Sequence, residues 1–194
     1  MISDELKRIM LNIARIAIKE EFLGHKELND QVIGKLVSMY PKLTEPGAVF
    51  VTINERSSLR GCIGSLVAYR PLIEDLIANA KAAAFGDPRF PPLRPEEFDQ
   101  ITIEISLLGE PKPLEYSDIA DLRRKIRPGI DGVVLQLDGR QATFLPQVWE
   151  DLPDFDQFFA HLCAKAGLPP NCLEYHPKIL VYQVEKWSEE DFRE

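Results

Sequence analysis

Apolar positions in the opening stretch, Leu6, Ile9, Met10, Ile13, Ile16 and Ala17, recur at three- and four-residue spacing with charged residues between them. Asp4 can cap this run and Gly24 can stop it, so the pattern predicts a helix that buries one face. Val32, Ile33, Leu36, Val37 and Tyr40 suit a second, short helix, punctuated by Pro41 and Pro46. The continuous apolar run at 47–53 predicts a buried strand, 55–58 a polar turn, and 59–66 its antiparallel return. Pro71 then suits the first turn of a helix carrying Leu72, Ile73, Leu76, Ile77, Ala80, Ala83 and Ala84 inward, with Gly86 closing it. After a proline-rich corner, Ile101, Ile103, Ile105 and Leu107 alternate with other residues as a strand with one side in a core would.

The second half repeats the order. A short helix is expected over about 118–125, and GVVLQL and RQATFL at 132–145 flank Asp138-Gly139, a dipeptide that favours the left-handed backbone of a tight hairpin turn. Asp154 caps a helix with Phe155, Phe158, Phe159, Leu162, Cys163 and Ala166 on one face; Gly167 ends it before Pro169-Pro170, and 179–187 reads as a final strand. Hairpin, helix and strand thus occur twice, and both second strands begin near an arginine, Arg60 and Arg140, with Cys62 and Ala142 two places on. This order suggests an internal duplication. The expected class is α+β: a curved, mainly antiparallel sheet with flanking helices and a cleft where the halves meet.

Composition narrows the setting. A chain of 194 residues is long enough for one sizeable core or two small ones. Three widely spaced cysteines and no secretory leader point to a reduced, cytoplasmic environment, so no disulfide is expected between Cys163 and Cys172. No apolar run is long enough to cross a bilayer. A balance of 23 basic against 31 acidic residues disfavours nucleic acid as a partner, because its binding is driven by phosphate neutralisation.

The strand at 59–66 carries the candidate chemistry. Gly61 and Gly64 are poor strand residues unless a ligand or another backbone comes close. Arg60 and Cys62, two apart, are expected on one strand face, where a guanidinium would favour thiolate and make Cys62 a nucleophile; a small apolar residue filling a tight spot is the competing reading. Arg60 and Arg89 could aim cationic forks at a carboxylate or phosphate, with Asp87 and Asp131 as neutralisers; alternatively, 87–92 is a rigid corner whose charges satisfy one another. Gln147 could contact a ligand or start a helix. His161, Cys163, Cys172 and His176 offer metal-ligand types, but residues 161 and 163 point to different sides of a helix, so no metal site is expected. Neither a P-loop nor G-x-G-x-x-G occurs, and no cofactor is indicated.

LRGCIGSL at 59–66, AAAFGDPRFPPL at 82–93, IEISLL at 103–108, RPGIDGV at 127–133, FLPQVWEDLP at 144–153 and HLCAKAGLPP at 161–170 together resemble the AMMECR domain family. The resemblance spans nearly the whole chain. It implies a compact α+β domain with a mostly antiparallel, barrel-like sheet and two subdomains flanking a cleft, with LRGCIG close to it. Prokaryotic members like this chain belong to a gene set shared with a Memo-type protein and a radical-SAM protein, which the resemblance suggests as partners; no established reaction comes with it. Small-ligand recognition near LRGCIG, an adaptor role with those partners, and thiol-dependent catalysis at Cys62 are the functions to be weighed.

Overall fold

A computed structural model describes residues 1–194. The chain divides into two compact units, Met1–Leu108 with Glu185–Glu194, and Gly109–Val184. In the first, α1 (Asp4–Leu23), α2 (Asp30–Met39) and α3 (Leu72–Phe85) accompany β1 (Val49–Glu55), β2 (Ser58–Gly64) and β3 (Ile101–Leu108). Ser3, one residue before the expected cap, accepts a hydrogen bond from the Leu6 N–H, and Gly24 ends α1 at φ 72°. The hydroxyl wins because it sits in extended backbone just outside the helix, while Asp4 already lies in the first turn, where its charge suits the dipole.

The first sheet runs β2-β1-β3-β8, where β8 is Val184–Ser188, and β1 pairs antiparallel with both β2 and β3. Alternation along β1 sends Val49, Val51 and Ile53 into a core with Met10, Ile13 and Ile18 of α1 and Leu72 and Leu76 of α3. Phe50, Thr52 and Asn54 take the other face and are half-buried.

In the second unit, β4 (Lys112–Pro113), β5 (Gly132–Leu137), β6 (Arg140–Phe144) and β7 (Lys178–Tyr182) form a sheet ordered β4-β7-β5-β6, with β5 antiparallel to both β6 and β7. Its core is aromatic. α4 (Ile119–Lys125) precedes the sheet's hairpin, and α5 (Val148–Asp151) and α6 (Phe155–Lys165) bring Trp149, Phe158 and Phe159 against Val133, Leu135 and Ile179. Trp149 stacks on Phe158 with centroids 3.6 Å apart. The hairpin turns at Asp138 and Gly139, both with positive φ, and pairs Leu137 with Arg140.

The α+β, antiparallel class is therefore found, but the strands form two four-stranded sheets and no closed barrel. The expected last strand is two strands, β7 and β8, divided at Gln183 and belonging to different sheets. The expected absence of a disulfide is also overturned: Cys163 and Cys172 are bonded, with Cα atoms 5.9 Å apart. The helix-face reasoning was sound for residue 163, which is buried while His161 is exposed. It overlooked the return of the chain. Gly167, at φ 74°, reverses direction after α6, and the turn that follows Pro169 carries Cys172 back beneath the same helix.

Candidate functional site

The β1–β2 register decides what LRGCIG can do. Ile53 pairs with Gly61 but Asn54 pairs with Leu59, so Arg60 is the extra residue of a β-bulge. Gly61 lies opposite a core-facing residue, and a Cβ there would sit 2.0 Å from the Ala83 carbonyl oxygen of α3. Gly64 pairs with Phe50 on the opposite face, and a Cβ there would be 2.2 Å from the Phe50 ring. Each glycine thus admits a neighbour of this same unit, one the backbone of a helix, the other an aromatic ring.

Cys62 pairs with Thr52, on the face away from the helices, and its Sγ lies 3.2 Å from Thr52 Oγ1. It is half-buried and is the one free cysteine. Because β2 is an edge strand, the outward N–H and C=O of Cys62 need partners from elsewhere. The corner at 87–89 supplies them: Asp87 Oδ2 accepts from Cys62 N at 3.0 Å, and Arg89 Nη2 approaches Cys62 O at 3.5 Å. Asp87 is 4% exposed and also accepts from the backbone N–H, Nε and Nη2 of Arg89. The Arg89 guanidinium, followed by the Cys62 N–H, holds the Asp87 carboxyl far below the usual carboxylate range, and Asp87 in turn raises Arg89. The Arg89 side chain remains 56% exposed.

Arg60 is spent differently. Its Nε and Nη2 donate to both Glu97 oxygens at 2.9 and 3.1 Å, and the residue is 9% exposed. That bond, chiefly, lowers the Glu97 pKa. Nη1 of Arg60 is buried without an acceptor. Across the sheet, Thr52 pairs with Glu104 of β3, whose carboxylate lies 3.9 Å from Lys186 Nζ. Beyond β2, the loop exposes Leu66, Val67 and Tyr69.

Asp131 and Gln147 belong to the second unit. Asp131, 2% exposed, accepts from Arg127 N, Nε and Nη2 and from Gln183 Nε2, while its carbonyl accepts from Trp149 Nε1. Burial pushes this carboxyl up, but the bonds from Arg127 and Gln183 outweigh burial and hold it low. Gln147 stands exposed at the start of α5, and its side chain makes no cap hydrogen bond.

The structure therefore gathers Cys62, Asp87 and Arg89 around one strand edge and commits Arg60 to Glu97. Sequence reasoning missed Thr52, Glu97 and Arg127. Counting back across a regular hairpin from Cys62 reaches Val51, and only the bulge moves the partner to Thr52; Glu97 lies in the short 3-10 helix Pro95–Gln100 and Arg127 in a loop, neither with a periodicity to place it.

Residues 11–187 match the family model AMMECR1. The chain belongs to the AMMECR1 family. It is 41% identical to a Methanothermobacter thermautotrophicus protein over 92% of this chain and 90% of the other. A Thermococcus gammatolerans protein is 38% identical, with 97% of this chain and 93% of the other covered. A crystal structure of an uncharacterised Pyrococcus horikoshii protein, PH0010, superposes with a TM-score of 0.75 at 35% identity, covering 97% of this AMMECR1 chain and 94% of that one. No helix here is long and apolar enough to cross a membrane.

Proposed function

We propose that this AMMECR1-family protein is a recognition protein whose ligand, a small carboxylate or phosphate, docks beside Cys62 on the outward edge of Arg89. The observation that carries this reading is the way Arg89 is held. Its Nε–Nη2 edge is committed to buried Asp87, which fixes the guanidinium plane, while more than half of the side chain is open. A fork oriented in advance loses little entropy when it binds an anion. Asp87 is the positioning residue. Gly61 and Gly64 shape the strand, and Arg60 contributes field but no free fork.

Catalysis by Cys62 is the weaker reading, because the side-chain partner of the thiol is the Thr52 hydroxyl and not a base. An adaptor role with Memo-like and radical-SAM proteins is favoured by one feature, the exposed Leu66, Val67 and Tyr69 after β2.

Titration with inorganic phosphate and with acetate, followed by amide chemical shifts, tests the proposal. Shifts centred on Cys62 and Arg89 that vanish in Arg89→Ala are expected. Saturating anion that leaves those amides unmoved overturns the reading. Loss of partner binding in Tyr69→Ala, with Arg89→Ala unaffected, would favour the adaptor.

A further inference from the structure

The Cys163–Cys172 bond belongs to the second unit, whereas Cys62, Asp87 and Arg89 belong to the first. Both sulfur-bearing residues are fully buried in the aromatic cluster, yet much of the segment they enclose is on the surface: Ala164, Lys165, Gly167, Pro169, Pro170 and Asn171 are exposed. That segment has few internal ties. Gly167 N–H donates to Ala164 O and Leu168 N–H to Cys163 O, each at 2.9 Å. Its links to the sheet are the Gly167 carbonyl, which accepts from Arg140 Nη1 at 2.6 Å, and the Lys165 ammonium, which donates to Thr143 O at 2.8 Å. Arg140 directly follows the turn at Asp138-Gly139.

We propose that this disulfide is a redox latch: oxidised, it clamps the α6 corner onto the β5–β6 hairpin, and reduced, it releases the corner from Arg140. The reducing partner is a dithiol. One of its thiolates attacks a sulfur of the pair, the S–S bond breaks, and a mixed disulfide forms. The second thiol then closes the partner's own disulfide, and Cys163 and Cys172 leave as two thiols, so two electrons and two protons have passed to this chain. Because both sulfurs are buried, attack waits for the exposed segment to open. The latch therefore responds to sustained reducing conditions and resists brief ones. Cys62, half-buried on an edge strand, is free of this exchange.

The test uses the wild-type full chain, which avoids dependence on a variant that fails to fold. Protein purified without reductant is denatured and alkylated with a maleimide; one label per chain is expected, on Cys62. Reduction by dithiothreitol is expected to run about tenfold or more faster in denaturant than in buffer, since native attack requires local opening. After native reduction, trypsin is expected to cut after Lys165 about tenfold faster, because cleavage needs the end of α6 to unfold locally and the unbonded corner no longer resists that opening. Amides near Arg140 should also exchange faster. Three labels per chain before reduction would overturn the proposal at its root. Unchanged cleavage after Lys165 in the reduced chain would show a staple without a latch and overturn it equally.

Discussion

The hairpins β1–β2 and β5–β6 are built on one plan and differ by one residue. In each unit a hairpin is followed by a helix, and the next strand of that plan pairs with the first strand of the hairpin, giving β2-β1-β3 and β6-β5-β7. Leu135 faces the core and pairs with Ala142; Ile53 faces the core and pairs with Gly61. Matching by structure therefore aligns Ala142 with Gly61, not with Cys62 as counting from Arg140 and Arg60 implies. Arg140 matches Ser58, each the first residue after a two-residue turn, and beyond Leu59 the register is moved on by the bulge at Arg60. The bulge adds one residue to β2, and since strand faces alternate, the shift of one places Cys62 on the outer face while Ala142 faces the core. A single inserted residue separates the hairpin that turns a methyl toward its core from the one that turns a thiol outward.

The strongest way to break this comparison is to fill the glycine. Gly61→Ala places a methyl 2.0 Å from a backbone carbonyl that cannot rotate aside, and a loss of about 3 kcal/mol is expected from urea unfolding. Ala142→Gly in the other hairpin meets no clash and costs about 1 kcal/mol, mostly in backbone entropy. Equal losses at the two sites would mean that α3 does not seat on β2 as closely as described.

Much of this plan was legible in the sequence. The hairpin at Asp138-Gly139, the alternating strand β3 and the capped helix α6 each carry a local signal that tertiary packing did not overrule. The bulge was not legible, because nothing around Arg60 distinguishes an extra residue from the next in alternation; the shared face expected for Arg60 and Cys62 assumed a regular strand. The corner at 87–89 was read in both of its forms, and its geometry is the self-satisfied one, with the strand edge of Cys62 added. The disulfide was missed for a related reason: cysteine count and spacing describe the chain, whereas bonding depends on where a turn returns it.

The disulfide gives the next largest effect and sharpens the contrast between units. The first unit ties its ends through polar contacts such as Arg15 to Glu189, whereas the second closes a short covalent loop. Removing that loop closure costs about 2.5 kcal/mol on the chain-entropy view. Thermal unfolding with and without reductant measures it. The fall should be confined to probes of the second unit, such as Trp149 fluorescence in a Trp187→Phe background.

Acid provides a smaller test of the matched aspartates, Asp87 and Asp131. Both carboxyls are held below their ordinary value in the folded chain, so their contribution is complete above the unfolded value of about 4. As pH falls below about 4 the unfolded chain takes up protons first, and this contribution is lost progressively until the folded carboxyls protonate as well. Urea midpoints between pH 6 and pH 3 should fall in the wild type and fall less steeply in Asp87→Asn/Asp131→Asn. Identical slopes would show that neither arginine corner is ionically held.

The smallest effect is expected at Cys62. Cys62→Ser keeps a group able to hydrogen-bond with Thr52 Oγ1, leaves the Cys62 backbone bonds to Asp87 and Arg89 in place, and alters a side chain that is half-buried on the outer face. Stability should change by about 0.5 kcal/mol or less, within the range of surface substitutions away from special features. Phosphate-induced shifts at Arg89 should persist, because the serine leaves the guanidinium and its aspartate untouched. In the second hairpin, Ala142→Ser turns a hydroxyl toward an apolar core from a half-buried position and should cost about 1 kcal/mol if it finds no partner. That ordering follows from the one-residue shift alone. A Cys62→Ser loss as large as that of Ala142→Ser would place the thiol in packing and remove the distinction between the two hairpins.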